Sequence, residues 1–322
     1  MLAAYAARVS PDDPISALEV GDRPDPVAPD SSWVTVDVRA SSLNHHDVWS
    51  LKGVGLTAEQ TPMILGCDAA GVDPDGNEVI VHAVIGDPAA GRGDETFDPK
   101  RSLLSEKHQG AIAEKVTVPR RNLVAKPPEL SFEEAACLPT AWLTAYKMLF
   151  SRSGLRPGDT VLIQGAGGGV ATAAIALARA AGYRVWATSR SEAKRSKALE
   201  LGAHEAFESG ARLPARVDAV MESVGEATLG HSLRSVRPGG TVVVCGATSG
   251  MTVPVELARV FFQQVDVVGS TMGNRTELEG LVSMLVATGL RPVIDTVLPL
   301  AEARKGFERM IAGDVFGKVV FT

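Results

Sequence analysis

Thr160–Ser191 reads TVLIQGAGGGVATAAIALARAAGYRVWATSRS. An apolar strand runs into Gly165, a glycine-rich turn follows, and a helix begins at once, over about Gly168–Ala181, before a second strand, YRVWATS. Glycines let the backbone turn tightly and bring its N–H groups close to a pyrophosphate at the positive end of a helix. Counted from Ala166, the pattern is Ala-x-Gly168-x-x-Ala171, with Gly167 and Gly169 interleaved. A strict G-x-G-x-x-G is absent, although alanine is admitted at the third position. Glycines alone say little; a strand before, a helix after and a second βα unit at the expected distance mark a dinucleotide cradle. Gly165, Ala166, Gly167, Gly168, Gly169 and Val170 are its candidate residues.

The end of the second strand decides between cofactors. An acidic residue there would hydrogen-bond the adenosine ribose hydroxyls and repel a 2′-phosphate. The sequence has TSRSEAK instead, with Ser189 at the discriminating position, then Arg190, and Lys194 one turn into the next helix. Hydroxyls and cations in that place suit NADP(H), because a guanidinium binds phosphate through two parallel hydrogen bonds.

Beyond this unit the strand–helix alternation continues. SEAKRSKALELG reads as a helix, VDAVMES as a strand, ATLGHSLRSV as a helix, and TVVVCGAT and VDVVGST as strands. That is the pattern of βαβ units and a parallel sheet covered on both faces. Upstream, PPELSFEEAACL opens a helix with Ser131 as N-cap and Glu134 closing a capping box. Before Lys126 the pattern differs. WVTVDVRA and AIAEKVTVP alternate apolar and polar residues, NEVIVHAV is a buried-type run, and Gly86–Gly110 is polar, without periodicity, and expected to be a long loop. From about Gly273 come two amphipathic helices and the short strands VIDTVLP and GKVVFT, which could pair back onto the first part. The expected fold is α/β: a discontinuous β-rich substrate and catalytic domain over 1–126 and 273–322, and a doubly wound cofactor domain over 127–272.

A chain of 322 residues accommodates two domains. Lys plus Arg (32) against Asp plus Glu (38) gives a formal net charge of −6, so there is no broad cationic surface for nucleic acid. The run ATAAIALARAAG is too short to span a bilayer, and MLAAYAARVSPDDP lacks the basic and apolar regions of a secretory signal. Three well-separated cysteines make no disulfide framework and fit a reducing cytosol. A cytoplasmic protein with no membrane or nucleic-acid partner is expected.

Leu43–Trp49 reads LNHHDVW, and ILGCDAAG follows at Ile64–Gly71. With GAIAEKVTVP, LSFEEAACLPTAWLTAY, the glycine turn, VVGSTMG and the closing GKVVFT, these segments resemble, in order and spacing, the medium-chain dehydrogenase/reductase superfamily over nearly the whole chain. The resemblance implies a GroES-like catalytic domain joined to a Rossmann domain. It places the catalytic-zinc positions of metal-dependent members at Asn44, Cys67 and Thr140. Only Cys67 is a reasonable ligand, whereas such a site needs three good donors and an open position. The segment Gly86–Gly110, where some members cluster four structural cysteines, has none. Read as extended chain, His45 and His46 diverge and cannot both reach one ion. No metal is expected.

The zinc-free branch that the chain resembles is quinone oxidoreductase or NADPH-dependent enone reductase. Hydride added to an enone or a quinone leaves charge on an oxygen already delocalised as enolate or phenolate. Hydrogen-bond donors stabilise that charge by roughly 3–4 kcal/mol each when well placed. On this reading Asn44 offers its amide to the substrate oxygen, and Asp47 orients its neighbours. His46, where the family has a proton-relay hydroxyl, is the general acid. By resemblance Thr144 contacts the nicotinamide, His45 lies near the pyrophosphate, Gly246, Met272 and Gly273 line the nicotinamide side, and Lys318 lies near the cleft. Trp49, Cys67 and Trp142 are candidate walls of the substrate pocket, with plain packing the alternative for each. Some members reduce enoyl thioesters, for which Arg120 and Arg121 could contribute a basic entrance. The strand in VDVVGST would lie at a sheet edge, so a homodimer is expected. Two rivals remain: a zinc-dependent alcohol dehydrogenase using Cys67, His45 or Asp68, and a low-turnover NADPH-binding protein.

Overall fold

The computed structural model describes all 322 residues and divides into two compact units, Met1–Leu143 with Gly273–Thr322, and Thr144–Met272. In the second unit six parallel strands lie in the spatial order Glu205–Phe207, Arg184–Thr188, Thr160–Ile163, Val217–Glu222, Val236–Val244 and Asp266–Gly269. The strand order reverses between Thr160–Ile163 and Val217–Glu222. The crevice beyond their carboxyl ends is therefore the switch point at which doubly wound sheets take ligands. Val161, Leu162, Val220, Val242 and Val243 are fully buried, as expected of central strands that are covered on both faces and read as unbroken aliphatic runs. The helix Gly169–Ala180 is alanine-rich and buries Ala171 through Ala178. Its small side chains combine high helix propensity with close approach to the sheet.

The first unit is a β-rich body. Its main sheet has the order Leu123–Ala125, Glu78–Val81, Asp68–Val72, Trp33–Ser42, Lys318–Phe321 and Ile294–Leu298, with Lys115–Pro119 paired to the first half of Trp33–Ser42. The alternation in WVTVDVRA has a physical basis: Val34 and Val36 turn into a core with Val79, Val81, Val116 and Val118. The tail strands return as expected, Lys318–Phe321 running antiparallel to Ser41 and Ser42, and Ile294–Leu298 parallel to Lys318–Phe321.

Three expectations are corrected. The first unit extends to Leu143 rather than ending at Lys126, because the helix Phe132–Ala135 packs on this body. Ser131 and Glu134 close their capping box at 3.2 and 2.9 Å, and the Ala136 carbonyl accepts from Ser42 Oγ at 2.9 Å. Gly86–Gly110, expected to be a long loop, carries a short 3-10 turn, Glu95–Phe97, and one strand of a two-residue pair. Val84–Ile85 pairs with Ser102–Leu103, and the Asp98 carboxylate accepts the N–H groups of Asp87 and Lys100, each at 2.8 Å. Finally, LNHHDVW is not extended: His45–Leu51 is a helix started by Asn44, whose N–H donates to Asp47 Oδ2 at 2.8 Å. No helix is long and apolar enough to cross a membrane.

Candidate active site

Successive helical residues point about 100° apart, and this separates the two histidines. His45 is exposed, while His46 turns inward with 21% of its side chain exposed. His46 Nδ1 lies 3.4 Å from Cys67 Sγ and 3.9 Å from Asp47 Oδ1, and its Nε2 lies 3.2 Å from Glu106 Oε1. Cys67, fully buried, sits where the chain turns after Gly66 and donates to the Leu104 carbonyl at 3.2 Å. Asp47 is fixed from both sides, accepting from Asn44 N–H at 2.8 Å and Gly66 N–H at 2.9 Å. Burial disfavours a charged imidazole, yet the Cys67 sulfur, Asp47 and Glu106 outweigh it and hold His46 well above the ordinary histidine value. Burial pushes the Cys67 thiol up, with His46 pulling the other way.

A second network lies beneath this one. Lys318 is 2% exposed and its ammonium donates three hydrogen bonds, to Leu43 O at 2.9 Å, Asn44 Oδ1 at 2.6 Å and Asp68 Oδ2 at 3.1 Å. Asp68 Oδ2 also accepts from Asn44 Nδ2 at 2.8 Å and Ser42 Oγ at 2.7 Å, while Asp68 Oδ1 is buried without a partner. All three ammonium hydrogens are used, so Lys318 has no donor left for a cofactor. This corrects the expected cofactor contact: Lys318 anchors the start of the His45–Leu51 helix to the Asp68 strand. Asn44 is corrected in part, since its carbonyl is taken by Lys318 and one amide hydrogen by Asp68. One amide hydrogen remains.

Zinc does not fit the positions Asn44, Cys67 and Thr140. An ammonium already stands 2.6 Å from the Asn44 carbonyl oxygen, where a second cation would be repelled, and Thr140 offers only a neutral, buried hydroxyl. A different trio does come together: one donor atom each from His46, Asp47 and Cys67, all within 4.8 Å of one another. The expectation that His45 and His46 could not both reach one ion assumed an extended chain; in the helix His45 turns outward and His46 alone reaches Cys67.

In the second unit the glycine turn has the geometry an anion cradle needs. Gly165 and Gly167 adopt φ of +73° and +131°, and Gly168 caps the helix Gly169–Ala180. A Cβ on Gly165 would lie 2.7 Å from Val224 Cγ2, and one on Gly167 2.7 Å from Lys194 Cδ. The Lys194 side chain thus lies over the turn. Ala166 N–H donates to Thr188 O at 2.7 Å, fastening the turn to the strand that ends at Thr188, just before Ser189. Ser189 is buried, Arg190 exposed and Val170 half-buried. Ser191 caps the following helix, accepting from Lys194 N–H. Behind the turn Thr188 Oγ1 donates to Gln164 Oε1 at 2.5 Å, Gln164 Nε2 to Ser232 Oγ at 3.0 Å, and Ser232 Oγ to the buried Glu222 at 2.6 Å.

The remaining expected residues scatter. Trp142 is fully buried, its indole N–H without a partner, so packing replaces the expected role as a pocket wall. Trp49 is half-buried under Lys52, whose Nζ lies 5.3 Å from the ring centroid. Gly273, in the first unit, accepts from His82 Nε2 at 2.9 Å, and a Cβ there would collide with Leu143 at 2.6 Å. Thr144 and Met272 are buried in the second unit, and Gly246 is half-buried beside the Ser223 carbonyl. Cys137 and Cys245 are pushed up to about 12 by burial and are inert thiols. Sequence reasoning missed Glu106, which sat in a segment read as featureless, and Ser42, which carried no motif. It also missed Arg195, whose guanidinium holds the Ser189 carbonyl at 2.8 Å; a third cation after TSRSEAK was the available signal.

The family model described as alcohol dehydrogenase GroES-like domain matches residues 30–128, and that described as zinc-binding dehydrogenase matches residues 169–287. The chain is similar to an acryloyl-coenzyme A reductase of Metallosphaera sedula, 28% identical over 321 residues covering 94% of this chain and 96% of the relative. Among solved structures it is similar to an NAD-dependent alcohol dehydrogenase, 34% identical with a TM-score of 0.90 over 100% of this chain and 99% of that one. It is also similar to the 2-octenoyl-CoA carboxylase reductase CinF in complex with NADP and 2-octenoyl-CoA, 28% identical with a TM-score of 0.90 over 99% of this chain and 87% of that one.

Proposed function

The chain belongs to the medium-chain dehydrogenase/reductase superfamily, and from that premise we propose that it is an NADPH-dependent reductase of α,β-unsaturated carbonyl compounds that needs no catalytic metal. One observation carries the reading: the Lys318 ammonium stands 2.6 Å from the side-chain oxygen of Asn44, one of the three positions to which the resemblance assigns the zinc ligands. Without a Lewis acid the smaller demand falls on a substrate that delocalises its own developing charge, and a conjugated carbonyl does so. Relatives named for acryloyl- and 2-octenoyl-CoA support an unsaturated thioester as the first substrate class. Quinones make the same electronic demand and form the second.

NADPH held at the glycine turn with Ser189, Arg190 and Lys194 would supply a hydride for the β-carbon, and the chain's residues handle the charge and the proton that follow. The free amide hydrogen of Asn44 faces the enolate oxygen. His46, with Glu106 on its far nitrogen and Asp47 beside it, returns the proton; general acids of this kind contribute about 10²–10⁴-fold. NADP(H) is favoured by Ser189, Arg190 and Lys194 around the turn, and by the lack of an acidic side chain at the end of Arg184–Thr188. A homodimer is favoured by the edge strand Asp266–Gly269 and by Phe261 and Phe262, 61% and 79% exposed just before it. These features fit a cytoplasmic enzyme with a small-molecule substrate.

The test is oxidation of NADPH and of NADH by a short 2-enoyl-CoA and by an ortho-quinone, after exhaustive chelation. Metal-independent oxidation of NADPH by the enoyl thioester is expected. Turnover that disappears on chelation and returns with zinc would overturn the metal-free reading, and no oxidation of either cofactor by either substrate would overturn the reductase.

A further inference from the structure

We propose that His46, Asp47 and Cys67 form a site for one thiophilic divalent cation, zinc or cobalt(II), and that its occupancy silences proton delivery by His46. The second half rests on the reductase reading above. The site is displaced from Asn44, Cys67 and Thr140 and shares only Cys67 with them.

The spacing suits an ion. His46 Nδ1 stands 3.4 Å from Cys67 Sγ and 3.9 Å from Asp47 Oδ1, and all three donor atoms lie within 4.8 Å of one another. With Zn–S near 2.3 Å and Zn–N and Zn–O near 2.0–2.2 Å, tetrahedral donors stand roughly 3.2–3.6 Å apart. Shifts of about 1 Å therefore close the trio on a metal, leaving the fourth position open. Each atom has the capacity. Asp47 Oδ1 uses one lone pair on Gly66 N–H and keeps another. The Cys67 thiol proton, now given to the Leu104 carbonyl, leaves to solvent on ligation.

Two further observations point to a cation. The Asp47 carboxylate is completely buried, yet no lysine or arginine pairs with it; its partners are two backbone N–H groups and His46. A buried carboxylate in that position draws a positive charge. In addition, Glu106 sits behind the far nitrogen of the ring, Oε1 at 3.2 Å from Nε2, and is fixed through Oε2 by Leu103 N–H at 3.1 Å. A carboxylate behind the non-ligating nitrogen is the arrangement that orients a metal-binding histidine and raises its basicity. The ion enters past His46, the partly exposed member. Coordination at Nδ1 releases the proton it carried to solvent, alongside that of Cys67, and the Nε2 hydrogen remains with Glu106.

The experiment titrates the whole, chelator-stripped protein with cobalt(II) and, by calorimetry, with zinc. A thiolate-to-cobalt charge-transfer band saturating at one equivalent is expected, with one zinc bound. Cys67→Ser and Cys67→Ala abolish the band, and His46→Leu weakens zinc binding. Glu106→Gln weakens it by about 10–100-fold, while Asn44→Ala and Thr140→Ala leave band and stoichiometry unchanged. Far-UV circular dichroism of each variant establishes that the fold is intact. No band in the wild type, or a band lost in Asn44→Ala and kept in His46→Leu, overturns the site. One equivalent of zinc is expected to lower enone turnover by about 100-fold. Metal-free turnover without zinc binding would sink the ion site and leave the reductase standing. Binding without inhibition would overturn the silencing and, with it, the role of His46 as proton donor.

Discussion

Lys318→Met is the substitution that most directly questions how the site is held. It keeps most of the buried stem and removes the charge. Three acceptors lose their donor: Leu43 O, Asn44 Oδ1 and Asp68 Oδ2, at 2.9, 2.6 and 3.1 Å. Asp68 is fully buried and one of its oxygens is already unpartnered, so it would be left as an ion supported only by Ser42 and Asn44. Removing one member of a buried pair costs about 3–5 kcal/mol. For a unit of this size each kcal/mol moves the melting temperature by about 2–4 °C, giving a drop of roughly 6–20 °C. Tryptophan fluorescence is a suitable probe, because Trp33, Trp49 and Trp142 lie in the first unit and Trp186 in the second. Adding Asp68→Asn removes the stranded charge while keeping an acceptor for Ser42 and Asn44, and should recover most of the loss, since neutral replacement of a buried pair is often nearly free. A Lys318→Met drop below about 3 °C, or a double variant no more stable than the single one, would refute the claim that a desolvated ion pair fixes this helix start.

Other outcomes follow from single features. Gly167→Ala places a Cβ on a backbone at φ +131° and 2.7 Å from Lys194 Cδ; strain of about 1–3 kcal/mol should raise the NADPH Kd by about 5–150-fold in fluorescence titration, and an unchanged Kd would remove the cradle from the cofactor site. Ser189→Asp sets a carboxylate where the 2′-phosphate is expected, so the ratio of NADPH to NADH affinity should fall by about tenfold or more, roughly 1.4 kcal/mol; no change in that ratio would move the discriminating position elsewhere. His82 is held below the ordinary histidine value of 6.5, chiefly by burial, with Gly273 O and Glu95 pulling the other way. The unfolded chain therefore binds a proton below pH 6.5 that the folded one does not, and stability falls as pH drops through that value; His82→Gln should flatten the melting temperature over this window, and an identical pH slope would assign the effect to other groups. Phe261→Glu with Phe262→Glu should halve the sedimenting mass if those exposed rings cover a two-fold interface, and unchanged mass would place the contact elsewhere.

What was legible in the sequence was local. The run TVLIQGAGGG carries its own strand, turn and helix start, because an aliphatic strand, positive-φ glycines and an alanine-rich helix are each determined within a few residues. Ser131 and Glu134 announce a capping box three residues apart, and it forms. The illegible part concerns contacts that span the chain. Lys318 meets Asp68 across 250 residues, and nothing near either one records the pairing. Glu106 reaches His46 from a segment whose order comes from Asp98 and from a two-residue strand pair, neither of which has a period to detect. The domain boundary was missed for the same reason: the helix opened by Ser131 packs against the strand containing Ser42, which its own sequence cannot report.

LNHHDVW shows how far one local error travels. Seven residues that include a β-branched valine and a tryptophan, with histidine and aspartate between them, carry little helical preference of their own. The helix exists because Asp47 accepts the Asn44 N–H at its start, and because Val48 and Leu51 enter a core with Leu43, Leu56, Phe307 and Phe321, the last two from the far end of the chain. As an extended strand, the segment would send His46 and Asp47 to opposite faces. As a helix, it lets His46 and Asp47 meet Cys67 while His45 turns out to solvent. The chemistry open to the site therefore depends on a tertiary decision. If peptide backbone exchange showed His45–Leu51 opening as freely as an exposed loop, both the proton donor and the ion site would lose their common geometric basis. Protection comparable to the Trp33–Ser42 strand is the expected result, since Asp47, Val48, Ser50 and Leu51 are buried and the helix is tied at its start to Lys318 through Leu43 and Asn44.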